Sequence, residues 1–365
     1  MNPNEDPLAD EGLAFEVGRS DWKQTRFVEG PVPDLAPGQV LFRVDRFALT
    51  ANNISYALSG DSLGYWRFFP CEAGWGRIPV MGFAEVIRST HPEVAEGTRC
   101  FGFYPMARHL VIQPGIVSPA QIVDAAPHRA GLAPVYAQYL PTTGDAVYAE
   151  RREDAILLMR GLFMTSFLAD DFLADQDYRG ARSVVISSAS SKTSIALAFQ
   201  VKQTGHARAI GLTSARNAEF VRALGFYDRV VLYDEIASLA QEPAVFVDMA
   251  GDGAVTAAVH RHFGDALQYD CAIGATHWSA ARNSAGLPGP KPEFFFAPAQ
   301  IVKRSKDWGP QRLSERLAAA WTKFCDASDA WLHVVRSDGR AALERVYQDT
   351  LAGRTDPADG HIVSL

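Results

Sequence analysis

The sequence predicts an α/β chain in two parts, an antiparallel, partly closed β domain and a doubly wound parallel-sheet domain. Two observations carry this. Between Gln39 and Pro114 short runs of alternating apolar and polar residues are separated by Pro and Gly, as half-buried antiparallel strands are. From Arg152 the period changes, and short apolar runs alternate with stretches of helical spacing, the pattern of parallel strands buried on both faces. The two patterns are organised around Ser183–Lys202, SVVISSASSKTSIALAFQVK, where the strand Val184, Val185, Ile186 turns polar at Ser187 and helical periodicity begins at Ile195.

In chain order, residues 1 to about 37 are polar and proline-rich, with Phe15, Val17, Trp22, Phe27 and Val28 offering only short edge strands. QVLFRVDRFA (39–48), PVMGFAEVIRS (79–89), Gly97–Phe103 and ARHLVIQP (107–114) read as strands of the β domain. AILLMRGLFMTSFLADDFL (155–173) reads as a helix. After it come SVVIS, RAIGLTS, RVVLY, AVFVDMAG and YDCAIGATHW as strands, with helices between them, then two further helices and the terminal strand HIVSL. With 365 residues, 47% hydrophobic and 21% charged, the chain can fill two cores.

Composition narrows the partners. The net charge is -7, the pI is about 5.7, and no basic tract exceeds Lys303, Arg304 and Lys306, which argues against nucleic acid. The acidic start MNPNEDPLADEG is not a secretory signal and no apolar run reaches the roughly twenty residues of a membrane span, so the expectation is a cytoplasmic protein with no membrane partner. Cys71, Cys100, Cys271 and Cys325 have no paired spacing and are expected as reduced, packed thiols. His260 and His262 lie two apart on a predicted helix, face different sides, and are read as solvated rather than as metal ligands.

A strand that feeds a helix through small residues puts the first-turn amides at the carboxyl edge of the sheet, where they can receive an anion such as a dinucleotide pyrophosphate. The usual glycine positions carry Ser188, Ser191 and Ser194. Candidate phosphate-facing residues are Ser188, Ser190, Ser191, Lys192 and Thr193. The second parallel strand ends in GLTSARN, with no acidic residue for a ribose hydroxyl pair; Thr213, Ser214, Arg216 and Asn217 suit a 2′-phosphate instead, which predicts NADP(H). Asp248 to Gly251 and Gly274 to His277 close the fourth and fifth strands and are expected to border the nicotinamide and ribose, with Asp248, Gly274 and Thr276 as the candidate contacts.

On VLFRVDRFALTANNISYALSG, IPVMGFAEV, EGTRCFGF and GLFMTSFLADDFL, nearly the whole chain resembles the medium-chain dehydrogenase/reductase superfamily, in its zinc-free, quinone-oxidoreductase-like branch. It is most similar to an uncharacterised subfamily whose turn also reads SSASSKT. The resemblance implies a GroES-like partly closed β-barrel from residues 1–153 and 304–365 and a Rossmann-type domain from residues 154–303. It also implies Thr165 at the carboxamide of the cofactor and Tyr56 beside the nicotinamide. Zinc-dependent relatives need a cysteine near Phe47–Ala48 and a histidine after Gly82; Phe83 stands there, and no metal is expected.

Hydride addition to an activated alkene or quinone leaves an oxyanion, which a phenol stabilises, so Tyr56 and Tyr65 are the candidate catalytic residues. Asn53, Trp66 and Phe68 are the candidate substrate contacts. The predicted activity is NADPH-dependent reduction of an activated C=C bond or quinone. The alternatives are a non-catalytic dinucleotide- or ligand-binding protein on the same scaffold, and an alcohol or aldehyde oxidoreductase. Family likeness and the run Phe294, Phe295, Phe296 predict a homodimer through the parallel-sheet edge.

Overall fold

A computed structural model describes residues 11–132, 134–273 and 286–365. The chain forms two compact units, Met1–Leu158 with His333–Leu365, and Met159–Leu332.

The first unit is built on strand Val40–Leu49, which pairs antiparallel with Pro79–Ser89, His109–Ile112 and the returning strand Asp359–Ser364. Its alternation sends Val40, Phe42, Val44, Phe47 and Leu49 into one core. These strands belong to a nine-stranded sheet whose pairings do not close into a barrel among the described residues. Glu11–Gly18 is not a short edge strand: it is the central strand of a second, three-stranded sheet, with Phe15 and Val17 fully buried. Glu16 hid it in the sequence. Its carboxylate is buried in the middle of the strand because Arg26 and Arg77 bond it at 2.7 and 2.9 Å.

Among its described residues the second unit holds six parallel strands, Ser183–Ile186, Arg208–Thr213, Arg229–Leu232, Ala244–Asp248, Leu267–Ala272 and Glu293–Phe294. Numbered within the sheet, their spatial order is 3-2-1-4-5-6, with every neighbouring pair parallel. The order reverses between Ser183–Ile186 and Ala244–Asp248, the place where such sheets bind ligands. Helices Ala297–Trp308 and Pro310–Ser328 belong to this unit, so the chain returns to the first unit at His333 and not at 304. Packing explains the shift: Phe324 stacks on Phe163 at 5.0 Å and meets Phe199 at 5.4 Å, and Trp321 meets Phe163 at 5.4 Å.

The four cysteines are free, three of them buried. No helix among the described residues is long and apolar enough to cross a membrane.

His260 is not solvated. It is fully buried on helix Gly253–Phe263, with Nε2 2.7 Å from Asp270 Oδ2 and Nδ1 2.8 Å from the Pro288 carbonyl. The carbonyl can only accept, so Nδ1 carries a hydrogen, and the second proton is shared with Asp270. Burial works against charge on the ring, but the bonds to Asp270 and Pro288 outweigh it and hold the pKa above its ordinary value. A raised folded pKa means stability that is complete below about 6.5 and lost as pH climbs through the folded value. The melting temperature should therefore fall between pH 6 and pH 9 by more in the wild type than in His260→Gln, with the variant weaker by about 3 kcal/mol at pH 6. Parallel pH profiles of the two proteins, followed by circular dichroism, would refute this.

Candidate functional site

In the second unit the turn after Ser183–Ile186 replaces glycines with a chain of hydroxyls. Ser188 takes φ +51°, the left-handed backbone that a glycine adopts without strain. Its amide donates to Tyr233 Oη at 3.2 Å. Ser191 caps helix Lys192–Thr204: its Oγ accepts from the Ser194 amide at 3.2 Å and donates to Ser194 Oγ at 2.8 Å. Ser194 is fully buried and passes the bond on to the Ser187 carbonyl at 2.9 Å. Tyr227 Oη clamps the Ala189 carbonyl at 2.8 Å, and a side chain at Gly211 would strike both Tyr227 and Ala189.

Beneath the turn, Ser187 Oγ donates to Asp248 Oδ1 at 2.7 Å, across the point where the strand order reverses. Ser187 Oγ also accepts from the Met249 and Ala250 amides. Asp248 takes further bonds from the Ala250 and Gly251 amides and from Thr256 Oγ1. Its carboxylate is thus committed to closing the loop rather than offered to a ribose.

The candidates that remain outward-facing gather at one corner. Ser190 Oγ accepts from Asn217 Nδ2 at 2.9 Å, tying the turn to the segment that carries Ser214 and the exposed Arg216. Lys192 and Thr193, half-buried, occupy the first helical positions after the Ser191 cap, where amides have no partner within the helix. Two cations, three hydroxyls and a helix start make this corner suited to phosphate. No carboxylate of the GLTSARN segment opposes it. Thr213 is buried at its strand end, and Thr165 Oγ1 bonds back to the Gly161 carbonyl in its own helix at 3.1 Å. Gly274 and Thr276 lie outside the described residues. A cavity of about 410 Å³ lined by Arg182, Lys202, His206 and Arg208 sits at the amino edges of the strands, the opposite end from this corner.

In the first unit, helix Ala51–Leu58 and the turn Tyr65–Arg67 bring aromatic rings together. Tyr56 and Tyr65 rings are 4.6 Å apart, and Phe68, Phe69, Leu110, Leu132 and Tyr136 pack with them. Tyr56 Oη accepts from Asn52 Nδ2 at 2.7 Å. Burial pushes the Tyr56 and Tyr65 pKa values well above the phenol range, which keeps both as donors. Asn53 and Trp66 serve the scaffold instead of this cluster. Asn53 is buried, accepts from the Thr50 amide at 2.7 Å and donates to the Pro79 carbonyl at 2.9 Å. Trp66 fills the main core between Gly60 and Gly76, neither of which has room for a β-carbon beside the indole. Tyr136, with no motif around it, joins the cluster from 71 residues beyond Tyr65.

Phe83, where a zinc-binding histidine would stand, is fully buried against Phe101 and Tyr148. Among the described residues no group of His, Cys, Asp or Glu is placed to hold a metal ion.

Residues 47–356 match the family described as protein of unknown function DUF2855. The chain belongs to that family. No protein of curated function matches it in sequence. Its fold is that of the medium-chain dehydrogenases/reductases. A protein of Mesorhizobium loti described as an NADPH:quinone reductase is 13% identical and superposes with a TM-score of 0.63 over 98% of this chain and 99% of its own. CurA of Vibrio vulnificus, solved with NADPH, gives 14% and 0.60 over 96% and 98%. The quinone oxidoreductase of Coxiella burnetii gives 14% and 0.55 over 97% and 99%.

The left-handed Ser188 yields a test. Ser188→Gly removes the strain and should be neutral or stabilising by up to about 1 kcal/mol, whereas Ser188→Val should cost more than about 1 kcal/mol. Urea unfolding checks both; a glycine variant weaker than the valine one would contradict the assignment.

Proposed function

We propose that this protein is an NADPH-dependent, zinc-independent cytoplasmic reductase of an activated C=C bond or quinone. The observation that carries the reading is the bond from Asn217 to Ser190, which joins Ser190, Lys192 and Thr193 at the helix start to Ser214, Arg216 and Asn217 in one corner of anion-binding groups. The neighbours support it, since the Mesorhizobium and Coxiella proteins are described as quinone reductases and CurA binds NADPH.

In this reading the helix start at Lys192 and Thr193 and the Ser190 hydroxyl hold the pyrophosphate, and Arg216 with Ser214 holds the 2′-phosphate. NADPH supplies a hydride. The chain's own part of the chemistry belongs to Tyr56 and Tyr65: burial keeps them protonated, so each can donate to the oxygen where negative charge collects. Phe68 supplies apolar wall beside Tyr65, at 5.2 Å between rings. The Ser187–Asp248 bond and the Tyr233 hydroxyl on the Ser188 amide favour a second reading, a non-catalytic ligand-binding protein in which the turn is packed shut. Nucleotide titration separates the two.

NADPH should bind at least tenfold more tightly than NADH, and Arg216→Glu should abolish the preference, a change of about 1.5 to 3 kcal/mol for a charged hydrogen bond. Calorimetry measures both constants; an unchanged ratio in the variant would remove Arg216 from the site. The homodimer is also part of the proposal. Strand Glu293–Phe294 is the sheet edge, and Phe294 and Phe296 beside it are exposed at 42% and 52%. Light scattering at micromolar concentration should give twice the chain mass, and Phe294→Glu should halve it; a monomer in the wild type would end this part of the reading.

A further inference from the structure

The aromatic cluster of the first unit holds more hydrogen-bond donors than it uses. Four rings form a closed circuit: Tyr56 to Tyr65 at 4.6 Å, Tyr65 to Tyr136 at 5.5 Å, Tyr136 to Phe103 at 4.9 Å and Phe103 back to Tyr56 at 5.8 Å. The Tyr65 and Tyr136 hydroxyls are 3.0 Å apart, and two phenols that bond each other spend only one of their two hydrogens. Tyr56 Oη accepts from Asn52, which leaves the Tyr56 hydrogen unspent as well. Among the described residues these three oxygens have no other partner.

Tyr56 and Tyr136 are only half-buried, so the unspent O–H groups lie where a ligand can reach them. They are also within electrostatic reach of one another, since ionisation of Tyr136 opposes that of both Tyr56 and Tyr65. The rest of the wall is apolar, made by Phe68, Phe69, Leu110 and Leu132. The nearby cation, Arg129, is turned to the rings of Phe68 and Phe69 and paired with Asp124 at 3.0 Å. The cluster therefore offers two neutral donors on an aromatic surface.

We propose that Tyr56 and the Tyr65–Tyr136 pair form a two-donor site for a flat, uncharged ligand with two acceptor oxygens, of the quinone or enedione class. A simple enal or monocarbonyl satisfies one donor and leaves the other unpaired, and such a site discriminates against it. The proposal deepens the reductase reading and rests on it for the ligand being a substrate. Binding itself does not require the nucleotide.

The test uses the full chain without nucleotide and two probes that hydride donors leave intact, N-methylphthalimide, with two carbonyls, and N-methylisoindolin-1-one, the same ring system with one. Ligand-observed NMR should give a dissociation constant about tenfold lower for the dicarbonyl, the worth of one added hydrogen bond. Tyr56→Phe should bring the ratio below about threefold, and the double variant Tyr65→Phe/Tyr136→Phe should do the same. Equal binding of the two probes by the wild type, or an undiminished ratio in Tyr56→Phe, would overturn the proposal. If the double variant melts early, the wild-type and Tyr56→Phe ratios decide alone. A dicarbonyl preference without NADPH binding would overturn the reductase reading and leave the two-donor site standing; NADPH binding without the preference would overturn the two-donor site alone.

Discussion

The bond from the Ser187 hydroxyl to the Asp248 carboxylate is the constraint on which the parallel-sheet unit depends. Where the strand order reverses, two strand ends part and their backbone amides lose the ladder that satisfied them. Here Ser187 and Asp248 accept from the amides of Met249, Ala250 and Gly251, and Thr256 on the following helix adds a third side chain. The Ser187 carbonyl in turn accepts from Ser194, so the same residue fixes the loop on one side and the helix start on the other. One further turn along that helix, His260 reaches Asp270 on the next strand. Two buried carboxylates on neighbouring strands thus seat one helix, and the turn that would meet a phosphate inherits its position from them.

This arrangement changes what the serines mean. A glycine turn binds anions because backbone can approach closely; in this turn the space is taken by hydroxyls that bond each other, with Ser191 and Ser194 committed to the helix start. What remains for an anion is displaced outward, to Ser190, the first helical positions and the Arg216 segment. The Asn217 to Ser190 bond makes those two pieces a single surface.

The parallel strands were legible in the sequence because both faces are buried, which writes itself as uninterrupted Val, Ile and Phe, and strand Pro79–Ser89 was found residue for residue. Partnerships across the chain were not legible. The central strand at Glu11–Gly18 was not legible because Arg26 and Arg77 approach Glu16 only in three dimensions, and His260 looked solvated because its carboxylate lies in another element. The roles expected of Asp248, Asn53 and Trp66 rested on correct local positions, at a strand end, a helix start and an aromatic run. What decided their use was which backbone groups nearby lacked partners, and no spacing rule carries that. Tyr136 left no signal, since a tyrosine in PVYAQYL differs from any packed one until Tyr65 is placed 3.0 Å from its oxygen.

The return of the chain at His333 has a consequence for the order of events in synthesis. Met159–Leu332 is one continuous stretch and can complete its core as soon as it has emerged. The other unit cannot, because strand Asp359–Ser364 sits between Val40–Leu49 and His333–Asp338. Until that strand arrives, the Phe47–Leu49 end of Val40–Leu49, beyond the part that His109–Ile112 covers, is an open edge inviting mispairing. Translation speed over residues 159–332 therefore sets how long the first-made half of the molecule waits unprotected for its last strand.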